Sequence, residues 1–213
     1  MPVLDCAGRR ILYIHVPKAA GSAVEGLLRS YGQVSGLRHH GPFGELPCSP
    51  QHFHGSLLEH IYSAHVTEPV SPFDYVFMTV RDPIRRFVSE LTYGTRHRNP
   101  VRQKVEDLAP KNWDRRALSL IRSYGSDPYM RDNHLRPQHE FEAFAPEVFR
   151  IEDGLESLKA KLDFVCGIEG SLPTSAVNAS RQVKLSLGPK VVEALTDLYQ
   201  EDFLRYSYPP PNQ

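Results

Sequence analysis

Cysteine is scarce in this chain: three in 213 residues, Cys6, Cys48 and Cys166, with no C-x-x-C pair. An odd, sparse set argues against a disulfide framework and a structural zinc site. It reads instead as free thiols in a reducing compartment. Long apolar runs are also missing, since nothing approaches the ~18 apolar residues that a membrane helix needs. The opening MPVLDCAGRR sets Asp5 and two arginines around a short apolar stretch, which does not read as a signal peptide. No charge dominates: Lys+Arg and Asp+Glu both number 25, for a formal net charge of zero. That excludes a general nucleic-acid coat, which needs a broad basic face, and leaves room for a local basic cleft. The usual nucleotide loop, GxxxxGK[ST], is absent. The one tryptophan, Trp113, reads as a core residue. These absences lead us to expect a soluble, cytoplasmic protein with no nucleic-acid partner, no membrane span and no metal. They leave the oligomeric state open.

Hydrophobic residues make up 40% of the chain, enough for a sizeable core. Two segments stand out, Ile11–Leu28 (ILYIHVPKAAGSAVEGLL) and Phe73–Glu90 (FDYVFMTVRDPIRRFVSE). Each reads as an apolar strand, a tight turn with a cation, and the start of a helix. In the first, Ile11–Val16 is the strand and Ser22–Glu25 matches the S-x-x-E capping box, which starts a helix running to about Tyr31. In the second, Tyr75–Val80 is the strand. Asp82 caps the next helix with Pro83 in its first position, and that helix runs to about Tyr93.

Elsewhere the patterns predict a surface loop over 32–50, helices over Gln51–His65, Trp113–Tyr124 and Gly154–Leu162, and strands over Glu147–Ile151 and Phe164–Ile168. Gly125–Ala145 reads as irregular and Pro189–Tyr206 as one amphipathic helix. There is no internal repeat and no clear boundary, so 1–208 reads as one domain and 209–213 as a frayed tail. The alternation predicts an α/β layered fold around a mainly parallel sheet of about five strands. Ligands of such sheets sit at the carboxyl ends of the strands, where both cationic turns fall.

Those turns carry the candidate chemistry. In Pro17–Ser22, Gly21 permits the sharp turn, and the N–H groups of the following helix face an anion with the helix dipole behind them. Lys18 adds a point charge and Ser22 a hydroxyl. In the second turn Arg81 ends a buried strand, and Ser89 lies about two turns into the helix. A guanidinium fork and a hydroxyl suit a second anion. A plain turn with a solvent-facing Lys18, and a salt bridge from Arg81 to Asp82, are the alternatives. Two cationic turns side by side suit a nucleotide-type donor with anionic groups at two points.

The two segments in this order resemble the sulfotransferases that use 3′-phosphoadenosine-5′-phosphosulfate (PAPS), and most of all their carbohydrate-type branch. That branch includes the heparan 2-O- and chondroitin-type enzymes and small bacterial relatives. HVPKAAGSAVE is similar to the family's 5′-phosphosulfate loop, commonly HIPKTAGTS, with Lys18, Gly21 and Ser22 on matching positions. Ala20 keeps the small residue, while Ala19 and Ala23 stand where hydroxyl residues are common. VRDPIRRFVSE is similar to the 3′-phosphate element R-x-P-x-x-R-x-x-S, with Arg81 and Ser89 at its anion-binding ends and Arg85 or Arg86 as assistants. Gln51–Glu59 resembles the His-x-His segment of the 2-O-sulfotransferases, in which the second histidine is the base. His134–Gln138 resembles the HWxPQ piece, Phe149–Glu152 the late strand, and Leu198–Phe203 with Tyr206 the C-terminal YxxDFxxY helix.

The resemblance implies a P-loop-like three-layer fold and sulfuryl transfer from PAPS, leaving PAP, to a hydroxyl acceptor. A carbohydrate or small hydroxyl compound is the expected acceptor. It implies Pro17, Lys18, Ala20, Gly21 and Ser22 at the 5′ end of the donor, and Arg81 and Ser89 at its 3′-phosphate. Lys18 would neutralise the leaving oxygen. His54 is the candidate base, with His52 and His65 as competitors. In the late loop Arg181 or Lys184 is expected to close over the donor, unless that loop is simply solvated. The basic cluster Arg96, His97, Arg98, Arg102 and Lys104 is either an acceptor contact or a solvated loop. Two other readings stand: an ATP-dependent phosphotransferase, which would want a GK[ST] loop and a metal-holding Asp, and a non-catalytic relative that binds nucleotide or glycan.

Overall fold

A computed structural model describes residues 1–36, 46–63, 72–96, 113–168 and 185–211. Five strands form one sheet in the order β3-β1-β2-β4-β5. They are β1 (Val3–Cys6), β2 (Arg9–Ile14), β3 (Gln33–Ser35), β4 (Tyr75–Val80) and β5 (Glu147–Arg150). The β2–β4 and β4–β5 pairs are parallel, with Leu12 beside Val76 and Met78 beside Val148. The β1–β2 and β1–β3 pairs are antiparallel. The sheet is thus a parallel core with an antiparallel ribbon along one edge.

That ribbon departs from the sequence expectation. The pair Cys6–Arg9 closes a hairpin on the two residues Ala7 and Gly8, which have φ of 49° and 76°. Two successive left-handed residues make the turn whose twist matches paired strands. Part of the expected 32–50 loop forms β3 as well, where a strand only three residues long can pair along the outer edge of β1.

The helices are α1 (Gly21–Leu28), α2 (Gly55–Ser63), α3 (Pro83–Arg96), α4 (Trp113–Ser126), α5 (Glu156–Cys166), α6 (Pro189–Leu198) and α7 (Gln200–Arg205). Successive strand residues point to opposite faces, and both faces of the central strands are apolar. Ile11, Tyr13 and Phe77 pack with Val24, Leu28, Leu158 and Leu162 of α1 and α5. Leu12, Ile14, Met78 and Val80 pack on the other side with Leu58, Phe87, Leu91, Ala117, Leu120 and Leu195. The result is helix, sheet, helix in three layers. Each fully buried Leu or Val contributes about 1.5–3 kcal/mol relative to exposure, so the apolar runs in β2 and β4 hold both helical layers. Among the described residues no helix is long and apolar enough to cross a membrane.

Three further expectations change. Phe164–Ile168 is not a strand. Leu158, Leu162, Val165 and Cys166 are buried along one helical stripe, so α5 continues to Cys166 and leaves Phe164 81% exposed. Gly167 (φ 64°) ends it, with Ile168 N–H donating to the Asp163 carbonyl and Gly167 N–H to the Phe164 carbonyl. This is the Schellman stop. The helix expected over Pro189–Tyr206 is two helices broken at Tyr199, whose φ and ψ are −110° and 20°. The break lets the buried Tyr199 hydroxyl donate to the Leu135 carbonyl at 2.8 Å. It also lets Asp202 accept the amides of Gln138 and His139. The Ser22–Glu25 capping box does not form. Ala20 is the N-cap residue, with no side-chain cap bond, and Glu25 is buried in another network.

Candidate active site

The parallel pairing of β2 with β4 puts the carboxyl ends of both strands at one rim of the sheet. The Pro17–Ser22 turn leaves β2 there, and Arg81 follows β4. Three carbonyls of the first turn are held from the second segment. Arg86 Nη1 donates to Pro17 O at 3.5 Å, Arg81 Nη1 to Lys18 O at 3.4 Å, and Thr79 Oγ1 to Ala19 O at 2.7 Å. Thr79 is fully buried and also bonds the Tyr13 hydroxyl at 2.8 Å. In a trans peptide the N–H points opposite to the C=O. With its carbonyl pinned toward β4, the Ala19–Ala20 unit therefore aims its N–H away from the sheet. At the start of α1 the Ala23 amide bonds back to the Ala20 carbonyl at 2.9 Å, so the Gly21 and Ser22 amides are the ones without an intrahelical partner.

The left-handed residues in this turn are Lys18 (φ 68°) and Ala20 (φ 65°), not Gly21. Glycine at 21 is required for a different reason. A Cβ there would lie 1.8 Å from Nε2 of His15, so the helix start and the imidazole pack directly. Ser22 is exposed at the first turn of α1. The Lys18 ammonium sits 3.5 Å from the centroid of the Tyr93 ring, on α3.

Arg81 is fixed through its main chain. Its N–H donates to Gln138 Oε1 at 2.9 Å, and its carbonyl accepts from Gln138 Nε2 at 2.8 Å, so a buried amide side chain continues the strand pairing. Asp82 caps α3 as expected, accepting the Arg85 amide at 2.8 Å. Ser89 is half-buried on α3 and Arg85 is exposed. Arg86 is 1% exposed and gives its guanidinium to the carbonyls of Pro17, His134 and Arg136, with the Tyr199 ring 5.2 Å away. It ties loops together from the inside. His65, Arg181, Lys184 and the basic cluster from Arg96 to Lys104 lie outside the residues, or the side chains, that the structure describes.

Beside the first turn stand three imidazoles, each next to a carboxylate. His15 Nδ1 is 3.6 Å from Glu25, and Gln51 Nε2 reaches both groups at 2.8 and 2.9 Å. His52 Nδ1 is 2.8 Å from Asp132 Oδ2. His134 Nδ1 is 2.7 Å from Glu90 Oε2, whose other oxygen accepts from Arg131 at 2.8 Å. The rings meet edge to face, His15 to His52 at 5.2 Å and His52 to His134 at 4.9 Å. Among the described residues no group of three or more His, Cys, Asp or Glu is placed to hold a metal.

Burial lowers the His52 pKa, against the upward pull of Asp132, so the ring is neutral at neutral pH. Nδ1–H then donates to the carboxylate and Nε2 carries the lone pair. Burial would raise the Asp132 carboxyl, but hydrogen bonds from His52 and Ser49 hold it well below the ordinary range. Glu90 is likewise pushed up by burial and brought below its usual value by His134, Arg131 and the nearby charge of Lys18. His54 is also lowered, first by burial and then by the Arg136 charge. Both of its ring nitrogens have partners, Nε2 with the Tyr129 hydroxyl at 3.1 Å and Nδ1 with Ser56 Oγ at 3.0 Å.

Arg131, Asp132 and Asn133 are three successive non-glycine residues in the left-handed region, with φ of 52°, 58° and 64°. Such backbone costs roughly 1–2 kcal/mol per residue, less for Asp and Asn. Sequence reasoning gave no site role to His15, Glu90 or this turn, and read Glu25 only as part of a helix cap. His15 could have been found, as a polar residue at the end of an apolar strand just before the cationic turn. Asp132 and Asn133 gave only an ordinary turn signal.

A family model described as the sulfotransferase family matches residues 3–209. No curated protein and no solved structure matches the chain. The match takes in both cationic turns, the histidine segment and all five strands, and the chain belongs to the sulfotransferase family, enzymes of sulfuryl transfer.

Proposed function

We propose that the donor is PAPS, that the acceptor is a hydroxyl compound, a carbohydrate rather than a nucleic acid, and that PAP is the product. The observation that carries this reading is the meeting of the two turns, Arg81 Nη1 on the Lys18 carbonyl at 3.4 Å. A cation and helix amides on one side, with a guanidinium and the Ser89 hydroxyl on the other, suit one ligand with two separated anionic ends. Pro17, Lys18, Ala20, Gly21 and Ser22 hold the 5′ end, and Arg81 and Ser89 hold the 3′-phosphate. Arg85 is the exposed assistant, because Arg86 is committed to carbonyls inside the fold. The bound donor supplies an activated sulfuryl group on a good leaving phosphate.

The chain's own residues do the rest. Lys18 holds positive charge where the leaving oxygen gains negative charge, a preorganised electrostatic role. A neutral imidazole takes the proton from the acceptor hydroxyl as the new O–S bond forms and the S–O bond to PAP breaks. We assign that base to His52. Among the described residues its hydrogen bonds run through Nδ1, to Asp132 and Ser49, which leaves Nε2 as the nitrogen that carries the lone pair. His54 is the second candidate, and it would first have to release Tyr129 or Ser56. The three cysteines are free and buried, which suits a cytoplasmic setting.

The test is ligand-induced stabilisation followed by turnover. PAP at saturating concentration raises the melting temperature and ATP does not. Radiolabelled sulfuryl groups pass from PAPS to a hydroxyl acceptor in a panel of glycans and small alcohols. Stabilisation by ATP with Mg²⁺ and none by PAP would favour the phosphotransferase reading instead.

A further inference from the structure

We propose that the left-handed turn Arg131–Asp132–Asn133 is a positioning device for His52, with Asp132 selecting the imidazole tautomer. This rests on the reading of His52 as base. Each residue of the turn grips a different part of the His52 surroundings. Asp132 Oδ2 accepts from Nδ1 of the ring at 2.8 Å. Asn133 Nδ2 donates to the main-chain carbonyl of His52 at 2.8 Å, and Asn133 is fully buried. Arg131 binds Glu90, which holds His134 with its ring edge-on to His52 at 4.9 Å.

The aspartate is itself held from two sides. The Ser49 amide and the Ser49 hydroxyl each donate to it at 2.6 Å. Asn133 Oδ1 in turn accepts from Arg136 Nε at 3.0 Å. Ring, main chain and flanking ring are thus fixed by three consecutive side chains. A right-handed backbone would spread those side chains around a helix. The left-handed run aims the three side chains differently from a right-handed one, and in this fold each of them holds part of the His52 surroundings, so the strained conformation and the grip on His52 occur together.

The chemical consequence is one of tautomer. A carboxylate at Nδ1 favours the Nδ1–H form and leaves Nε2 as the proton acceptor, the arrangement by which a buried aspartate orients a basic imidazole in unrelated hydrolases. It also raises the basicity of Nε2 against the pull of burial. Among the described residues the other titratable groups near the ring are His15, His134 and the α-amino group of Met1, and the Cys48 Sγ lies 3.7 Å from the His52 carbonyl.

The experiment reads tautomer and turnover separately on the full chain. Long-range ¹⁵N–¹H correlation on imidazole-labelled protein should show His52 protonated at Nδ1 at pH 7.5, and Asp132→Asn should move the proton toward Nε2. In Asp132→Asn, kcat should fall about tenfold or more, with KM for PAPS within twofold. The acid limb of kcat/KM should move to lower pH, since the carboxylate that raised the His52 pKa is gone. A residue that only supports the loop would change Tm without moving that limb. Should Asp132→Asn fail to fold, Asn133→Gly keeps the left-handed backbone and removes the bonds to both the His52 carbonyl and Arg136 Nε; its Tm should fall, and its kcat, read well below that lowered Tm, should fall as well.

The proposal is overturned if His52 in the parent carries its proton on Nε2. It is equally overturned if Asp132→Asn leaves both tautomer and acid limb unchanged, or if Asn133→Gly keeps full turnover. Failure of PAP to bind would instead sink the donor assignment, and the imidazole signal would still decide the positioning role.

Discussion

The Arg81 guanidinium donates to the main-chain carbonyl of Lys18 across 3.4 Å, joining two turns that are separated by 63 residues in the chain. Both turns leave parallel neighbouring strands, so the contact follows from strand order rather than from sequence proximity. It also turns a cationic side chain toward the place where helix amides emerge.

Arg81→Ala should therefore weaken PAP binding by about 10- to 100-fold, as a charge-assisted hydrogen bond contributes roughly 1.5–3 kcal/mol. Arg81→Lys should recover only part of this, since a point charge lacks the fork. Calorimetric titration with PAP measures both. An affinity within twofold of the parent for Arg81→Ala would remove this residue from the donor site.

Lys18→Ala should reduce kcat far more than it reduces stability, because the ammonium rests on the partly exposed Tyr93 ring rather than in the core. Single-turnover measurement with bound PAPS, alongside a thermal melt, separates the two effects. Turnover unchanged within a factor of two would rule out the leaving-group role.

Two glycines of α1 predict opposite signs. Gly21→Ala forces a methyl to within 1.8 Å of the His15 ring, and crowding of this kind costs about 1–3 kcal/mol. Gly26 has nothing within 4 Å of an added Cβ, and alanine there should stabilise the helix by roughly 0.5–1 kcal/mol. Thermal melts of the two variants should shift in opposite directions by a few degrees, at about 2–4 °C per kcal/mol for a chain of this size.

Arg86→Ala leaves the carbonyls of Pro17, His134 and Arg136 without their donor inside the fold. At about 1–3 kcal/mol for each unsatisfied buried group, the loss should be about 3 kcal/mol or more. Arg85→Ala, one residue earlier and exposed, should stay within about 0.5 kcal/mol of the parent. Urea midpoints compare the pair, and equal effects would contradict the inward role of Arg86.

His139 supplies a pH dependence with a defined sign. The hydrogen bond to buried Asp202 raises its pKa, against the effect of burial. The stabilisation is complete below the unfolded value of about 6.5 and is lost as pH rises through the higher folded value. His139→Gln should therefore lose more stability at pH 5.5 than at pH 9, read from urea midpoints at both. The His52 pKa is lowered, so its own contribution has the opposite sense and fades as pH falls below about 6.5.

The parts of the fold read correctly from sequence were those decided locally. β4 and its helix were legible because an apolar run is followed by Asp82 and Pro83, and cap and imino ring act within a few residues. The strand Phe164–Ile168 was misread for a converse reason. Phe164, Val165 and Cys166 look β-rich, and only the buried stripe from Leu158 shows that they complete a helix. The S-x-x-E signal at Ser22 was overridden by contact, since Glu25 meets Gln51 and His15 from elsewhere in the chain instead of the helix amides.

The candidate site divides in the same way. Lys18, Gly21, Ser22, Arg81, Ser89 and the His52–His54 segment are candidates that residue type, short spacing and the family resemblance single out. The linear chain by itself determined two cationic strand-to-helix turns, the alternation of strands and helices, and thus a layered α/β fold. Only tertiary structure decided that His15, His52 and His134 lie ring to ring, that Arg86 turns inward while Arg81 faces the first turn, and that Asp132 reaches His52 from 80 residues away. The physical reason is range: backbone preference and capping act over a few residues, whereas hydrogen bonds between buried side chains depend on which elements the sheet order brings to the same rim.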